Sequence, residues 1–265
     1  MTSIAVWAGI DSRRPASVYI ASDSRISWGN GERWNQGRKV FSSFTTPHIF
    51  SYWGDVLFPA LAIPIVLDRI ERGLLLAGDE DISIDRVEQA FRSLWSDYPQ
   101  NLSGDLGIVH AWRIGQYMTC DFKVSILTYQ ASSNTWQSRS VGMPKESSML
   151  HVAGSGAKFV RDANSLWQSS SASKTSRAVY SAFCEALDVG RDPMTGGAPQ
   201  IVGLYRKGPG SIIGTVHQGQ RYLAGSRLLP HEDPTGVEWR NSLFERIDGT
   251  RKKRLSGAQA HEKRP

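Results

Sequence analysis

Apolar and polar positions change period along this chain, and the changes divide it into blocks. Residues 3–9 and 17–21 are short runs rich in β-branched and aromatic side chains, separated by the polar stretch Asp11-Ser12-Arg13-Arg14-Pro15. This pattern predicts a β-hairpin. Residues 39–44 and 48–53 predict a second hairpin around Thr46-Pro47, closed by Gly54. Residues 55–76 are apolar over a helical length, and Pro64 within them predicts a kink or a break into two pieces. Ile84, Val87, Phe91, Leu94 and Trp95 recur at helical spacing, so 81–98 reads as an amphipathic helix. Strands follow at 106–113, 118–129, 136–141 and 149–153, then helices at 157–167 and 175–187, then strands at 201–205 and 211–216. A further helix is expected over 237–247. Strand, helix, strand, helix and strand blocks in this order predict an α+β fold in which sheets pack face to face with helices outside.

Composition narrows the picture. At 265 residues and 40% hydrophobic, the chain can bury a large core in one domain, 1–225, followed by an extension, 226–265. Two cysteines, Cys120 and Cys184, lie far apart with no metal-ligand spacing around them, which predicts neither a disulfide framework nor a zinc site and suits a reducing cytoplasm. No basic region leads into an apolar run at the start, and no stretch reaches the roughly 18 apolar residues of a membrane span. Export and membrane insertion are therefore not expected. The net charge of +6 is concentrated at the end: Arg251, Lys252, Lys253, Arg254, Lys263 and Arg264 against Glu262 contribute +5 of it. The body is nearly neutral, so the basic end is expected to be a solvated, disordered tail, and a nucleic-acid partner is not expected. The nine tryptophans do not alternate with basic residues and read as packing. His48, His110 and His151 show no catalytic or metal spacing.

Candidate chemistry emerges when the loops are taken as a set. Thr2-Ser3-Ile4-Ala5-Val6, Ala21-Ser22-Asp23-Ser24-Arg25, Arg38-Lys39-Val40-Phe41, Gly54, Gly154-Ser155-Gly156 and Asp192-Pro193-Met194-Thr195-Gly196-Gly197 follow one another in an order that resembles a bacterial proteasome β-type subunit. Each motif alone is weak, but together they span residues 2–216. The resemblance implies an N-terminal nucleophile hydrolase of the threonine peptidase family, with a four-layer αββα sandwich of two antiparallel sheets between helix layers. It implies Thr2 as nucleophile once Met1 is removed, with Asp23, Lys39, Gly54, Ser155, Asp192 and Thr195 around it. Thr195 stands where that family has serine.

The residue types suit that chemistry. A threonine hydroxyl needs a base, and a terminal α-amine, with a reference pKa of about 7.7–8.0, can serve when the same residue carries both groups. A buried Lys39 beside it would lower that pKa further and favour the alkoxide. Lys39 in turn requires a carboxylate, which Asp23 matches. By resemblance the Gly54 N–H faces the developing oxyanion, Ser155 and Asp192 orient the amine, and Ile26, Phe41, Tyr52 and Val56 border the pocket for the residue before the cut. Those bulky side chains either select a hydrophobic residue or fill the pocket and leave room for a small one. No metal or cofactor is implied. The implied partners are other copies of the chain in a ring or spiral, peptide or unfolded-protein substrates, and an unfoldase ATPase feeding the chamber. An amidase of the same class acting on a small amide and a catalytically silent proteasome-like scaffold are the alternatives.

Each residue also has a plainer reading. Thr2 would be an ordinary surface residue, Lys39 a solvated lysine, Asp23 and Arg25 a strand-end cap, Ser155 a helix cap, and Asp192 before Pro193 a turn former.

Overall fold

The computed structural model describes residues 2–77, 81–99, 104–262 and 264. In chain order its elements are β1 (Ile4–Ile10), β2 (Pro15–Ser22), β3 (Ile26–Ser27), β4 (Arg33–Trp34), β5 (Val40–Ser42), β6 (His48–Gly54), α1 (Leu57–Glu71), β7 (Leu76–Ala77), β8 (Asp81–Ile82) and α2 (Ile84–Ser96). There follow β9 (Leu106–Ile114), a 3-10 turn (Tyr117–Thr119), β10 (Asp121–Gln130), β11 (Thr135–Val141), β12 (Ser148–Ala153), α3 (Ala157–Gln168) and α4 (Ser176–Val189). The last strands are β13 (Gln200–Tyr205), β14 (Ser211–His217), β15 (Gln220–Leu223), β16 (Ser226–Arg227), β17 (Trp239–Asn241) and β18 (Arg246–Ile247).

One sheet has nine strands, with β12-β1-β2-β13-β14-β15-β16 in order and β17 and β18 attached beside β14. A second has five, β11-β10-β9-β6-β5, and β3-β4 and β7-β8 form two small pairs. The pairings are antiparallel except for β14 with β17.

This arrangement corrects the expected α+β, four-layer αββα sandwich. Among the described residues the chain is mostly β, with 35% strand against 23% helix and four α-helices. Part of the strand content lies beyond residue 216, where β15 to β18 enlarge the first sheet. The helix expected over 237–247 is replaced by β17 and β18. Trp239 lies on Gly214, where a Cβ would come within 2.5 Å of its ring, and β17 hydrogen-bonds along β14. Phe244 meanwhile packs edge-on against Tyr19 with ring centroids 5.3 Å apart. Burial of both aromatics against distant strands outweighs a local helical spacing. Similarly, α1 runs unbroken through Pro64, because Ile63, Val66 and Leu67 on its inner side are buried in one core cluster with Phe50 and Ile108 of the five-stranded sheet.

Strands β1 and β2 are covered on both faces. Ile4, Val6, Val18 and Ile20 meet Val109, Phe122 and Ile126 of the five-stranded sheet, while Ala5, Trp7 and Ala21 meet Val179 and Phe183 of α4. That double burial explains their near-continuous apolar sequence, and each fully buried aliphatic side chain is worth roughly 1.5–3 kcal/mol. The start of β1, where Thr2 and Ser3 lie, is consequently anchored deep in the protein. Helix α4 begins at Thr175, whose hydroxyl accepts the Ala178 N–H at 3.2 Å, and stops at left-handed Gly190, delivering the chain into the loop that carries Asp192.

The extension folds back on the body. Its end brings Arg264 within 2.8 Å of Glu185 on α4, and the His261 N–H reaches Glu245 at 2.6 Å. Among the described residues, no helix is long and apolar enough to cross a membrane.

Candidate active site

Strand β2 ends at Ser22 and β5 begins at Val40, so Asp23 and Lys39 occupy the adjoining ends of two strands. Both side chains are completely buried, and the Lys39 ammonium lies 2.8 Å from Asp23 Oδ1. It also donates to the Arg25 carbonyl at 2.5 Å. Asp23 Oδ1 accepts the Ser3 N–H at 3.0 Å, while Oδ2 accepts the N–H groups of Arg25 and Gly196, each at 3.1 Å. The Asp23 N–H returns a bond to the Ser3 carbonyl at 3.1 Å. The pair is thereby tied directly to the residue after Thr2, which itself has no exposed surface. Burial lowers the Lys39 pKa from its ordinary value, with the Asp23 charge partly opposing that shift and Arg25 adding to it.

A second acid approaches from the loop after α4. Asp192 Oδ1 accepts the Met194 N–H at 2.9 Å, which builds the turn expected of Asp-Pro. Its Oδ2 is buried with no hydrogen-bond partner among the described residues. A Cβ on Gly156 would come within 3.2 Å of both Asp192 Oδ2 and Thr195 Oγ1, and within 2.0 Å of Ser3 Oγ. Gly156 therefore marks the point where the β12–α3 turn, the start of β1 and the 192–197 loop converge. Gly154, at φ +91°, comes equally close to the Thr2 carbonyl, 1.8 Å from where its Cβ would be, so a side chain there is excluded by contact as well as by backbone conformation. The extra methyl of Thr195 is accommodated, because the residue is buried and its hydroxyl lies 3.5 Å from the Asp192 carbonyl.

Thr2, Asp23, Lys39, Asp192 and Thr195 are thus buried, and the other expected members have different surroundings. Gly54 closes β6 at φ +85°, and its tight approach is to the Asp105 carbonyl, 2.1 Å from a would-be Cβ. Ser155 is exposed, and α3 has no side-chain cap, so the plain helix-cap reading of Ser155 is not realised. Of the expected pocket residues, Phe41 and Tyr52 are core residues packed with Phe58 and Leu106, and Val56 lies against the same cluster. Tyr52 donates to the Arg38 carbonyl at 3.1 Å; burial, with the nearby charges of Asp23 and Asp55, raises its pKa and keeps it neutral. Ile26 folds over Gly37. The Trp53 ring covers Gly107 and stands 5.2 Å from His151.

Two residues to which the sequence gives no part in the site belong to it: Arg25, which reads there only as a motif member and strand-end cap, and Gln200. Arg25 donates to Asn35 Oδ1 at 2.8 Å and to the Pro193 carbonyl at 3.1 Å, bracing the 192–197 loop. Gln200, at the start of β13, is buried with its carboxamide between Asp23 and Lys39. A glutamine opening a strand carries no motif, and nothing in the sequence marks it out. Among the described residues, no group of three or more side chains could hold a metal. No protein-family model matches this chain, and no curated protein matches it.

Proposed function

We propose that this chain is a threonine-type peptidase that cleaves peptide bonds with Thr2 as nucleophile after removal of Met1. The observation that carries the reading is the fully buried Lys39–Asp23 pair, hydrogen-bonded to Ser3 beside Thr2. A buried ion pair is a poor device for stability, because desolvation consumes much of its attraction, whereas a lowered-pKa ammonium held beside a hydroxyl favours formation of an alkoxide. The unpartnered Asp192 Oδ2 supplies a buried acceptor suited to a terminal ammonium.

The chemistry then runs in two halves. The neutral α-amine of Thr2 takes the proton of its own hydroxyl, and Oγ adds to the substrate carbonyl. The oxyanion is received by the Gly54 N–H, the C–N bond breaks, and the amine returns the proton to the departing nitrogen. Water activated by the same amine then cleaves the ester and restores Thr2. Because Phe41 and Tyr52 already fill the core, a small side chain before the cut fits best. Peptide or unfolded protein is the substrate class, and other copies of the chain and an unfoldase ATPase are the partners we place around it. Both thiols are buried and unpaired, in keeping with a cytoplasmic enzyme.

Intact mass measurement combined with a fluorogenic peptide assay tests this reading. The expected result is protein lacking Met1, with turnover that falls at least about a thousandfold in Thr2→Ala. Turnover unchanged in that variant, or Met1 fully retained on active protein, overturns it.

A further inference from the structure

The Gln200 carboxamide behaves as an inserted peptide group. Its Nε2 donates to the Asp23 and Gly37 carbonyls, both at 2.9 Å, and its Oε1 accepts the N–H groups of Lys39 at 2.9 Å and Val40 at 3.2 Å. One buried side chain therefore joins the end of β2, the turn before Lys39 and the start of β5, places where no strand ladder runs. The turn that leads into the extension closes this network from behind. Gly225, in the turn between β15 and β16 at φ +84°, sits so close that a Cβ would lie 2.9 Å from Gln200 Nε2 and 2.8 Å from the Gly37 carbonyl. The same turn is pinned by Ser226 Oγ donating to Gln36 Oε1 at 3.2 Å.

These contacts leave the backbones of Asp23 and Lys39 without freedom to separate. Were the carboxamide absent, Lys39 N, Val40 N, Asp23 O and Gly37 O would each lose a partner in a buried region, and water or a backbone shift would have to compensate. We propose that Gln200, backed by the turn at Gly225, is the positioning residue that holds Lys39 and Asp23 at their working separation. The proposal rests on the Thr2 reading above. The turn that leads into the C-terminal extension thereby forms the rear wall of the catalytic pair.

The test compares wild-type protein with Gln200→Leu and with Gln200→Asn, which keeps an uncharged carboxamide and is expected to fold even if the leucine variant does not. Two quantities are read. One is the rate at which a peptide epoxyketone labels Thr2 as a function of pH. The other is the NMR titration of the Lys39 side chain, identified by its loss in Lys39→Met. The expected result is labelling slowed about a hundredfold, as a misplacement of about 1 Å produces, with the pH limb displaced and the Lys39 titration moved up towards that of an exposed lysine as water enters. A folded variant whose Lys39 titration is unchanged overturns the inference, whatever its labelling rate. A variant that labels within threefold of wild type at the same pH limb does so as well. If wild-type protein does not label at all, the Thr2 reading fails, and the Lys39 titration alone decides for or against Gln200.

Discussion

Two buried polar pairs, one between the ends of β2 and β5 and one within the five-stranded sheet, are built very differently. Lys39 and Asp23 meet at the end near Thr2, and Asp23 alone receives the Lys39 ammonium and three backbone N–H groups. His48 and His110 meet at the other end of β6, about 20 Å from Gly54 at the rise of a strand, with Nδ1 of one ring 2.9 Å from Nε2 of the other. His110 is stacked on Phe50 at 4.2 Å and near Trp112 at 4.6 Å, and its own Nδ1 is buried without a hydrogen-bond partner among the described residues. Only one proton fits between the two rings, so the pair is stable when both are neutral. The first pair is an over-determined charged network, costly to bury and therefore informative about chemistry; the second is a neutral contact that aromatic packing tolerates.

The sharpest way to break this contrast is Lys39→Met, which leaves the Asp23 carboxylate buried without its counter-charge. We expect a loss of about 3–5 kcal/mol in urea unfolding together with loss of Thr2 reactivity, and partial recovery of stability, but not of reactivity, when Asp23→Leu is added. Acid should act on the other pair. Burial pushes His48 down to about 3 and His110 well below its ordinary value, so the unfolded chain binds protons that the native state refuses. Stability from these groups is full above pH 6.5 and is lost as pH falls towards 3. At pH 5 the loss amounts to about 2 kcal/mol for each fully depressed histidine, read as a falling urea midpoint between pH 7.5 and 5. His151, half-buried and pushed down to about 4, acts in the same direction.

A smaller effect is expected from His110→Phe. Its ring continues the Phe50–Trp112 stack and removes an orphaned nitrogen, so stability at pH 7.5 should stay within about 1 kcal/mol of wild type while part of the acid sensitivity disappears. Loss of more than that would mean that the His48 hydrogen bond matters more than the stack. Smallest of all, Thr195→Ser should leave Thr2 labelling within a few-fold of wild type, since the hydroxyl near the Asp192 carbonyl is kept and only a buried methyl is removed.

Much of the strand order was legible because alternating and continuous apolar runs report burial directly. The first expected hairpin differs from β1 and β2 by only a residue or two at its ends, and the expected helices at 157–167 and 175–187 differ from α3 and α4 by similar margins. The region 237–247 misled because the partners of Trp239 and Phe244, Gly214 on β14 and Tyr19 on β2, are remote in the chain and leave no local mark. The site was legible where a charge would otherwise be stranded: a buried lysine requires a carboxylate, which made Asp23 and Lys39 a pair on paper. Gln200 escaped, because a neutral amide makes no such demand until its surroundings are known.

From residue types and their order came the short strands, which depend on local pattern, and, through the resemblance to a proteasome β-type subunit, the nucleophile candidate Thr2 and a buried Lys39, whose charge then called for Asp23 because burying a lone ion is costly. The tertiary structure alone decided that the chain is mostly β, that the extension returns to the first sheet, and that Gln200 and Gly225 close the back of the site. Those outcomes depend on pairings between residues far apart in sequence, whose free energy comes from surfaces that exist only once the sheets have met.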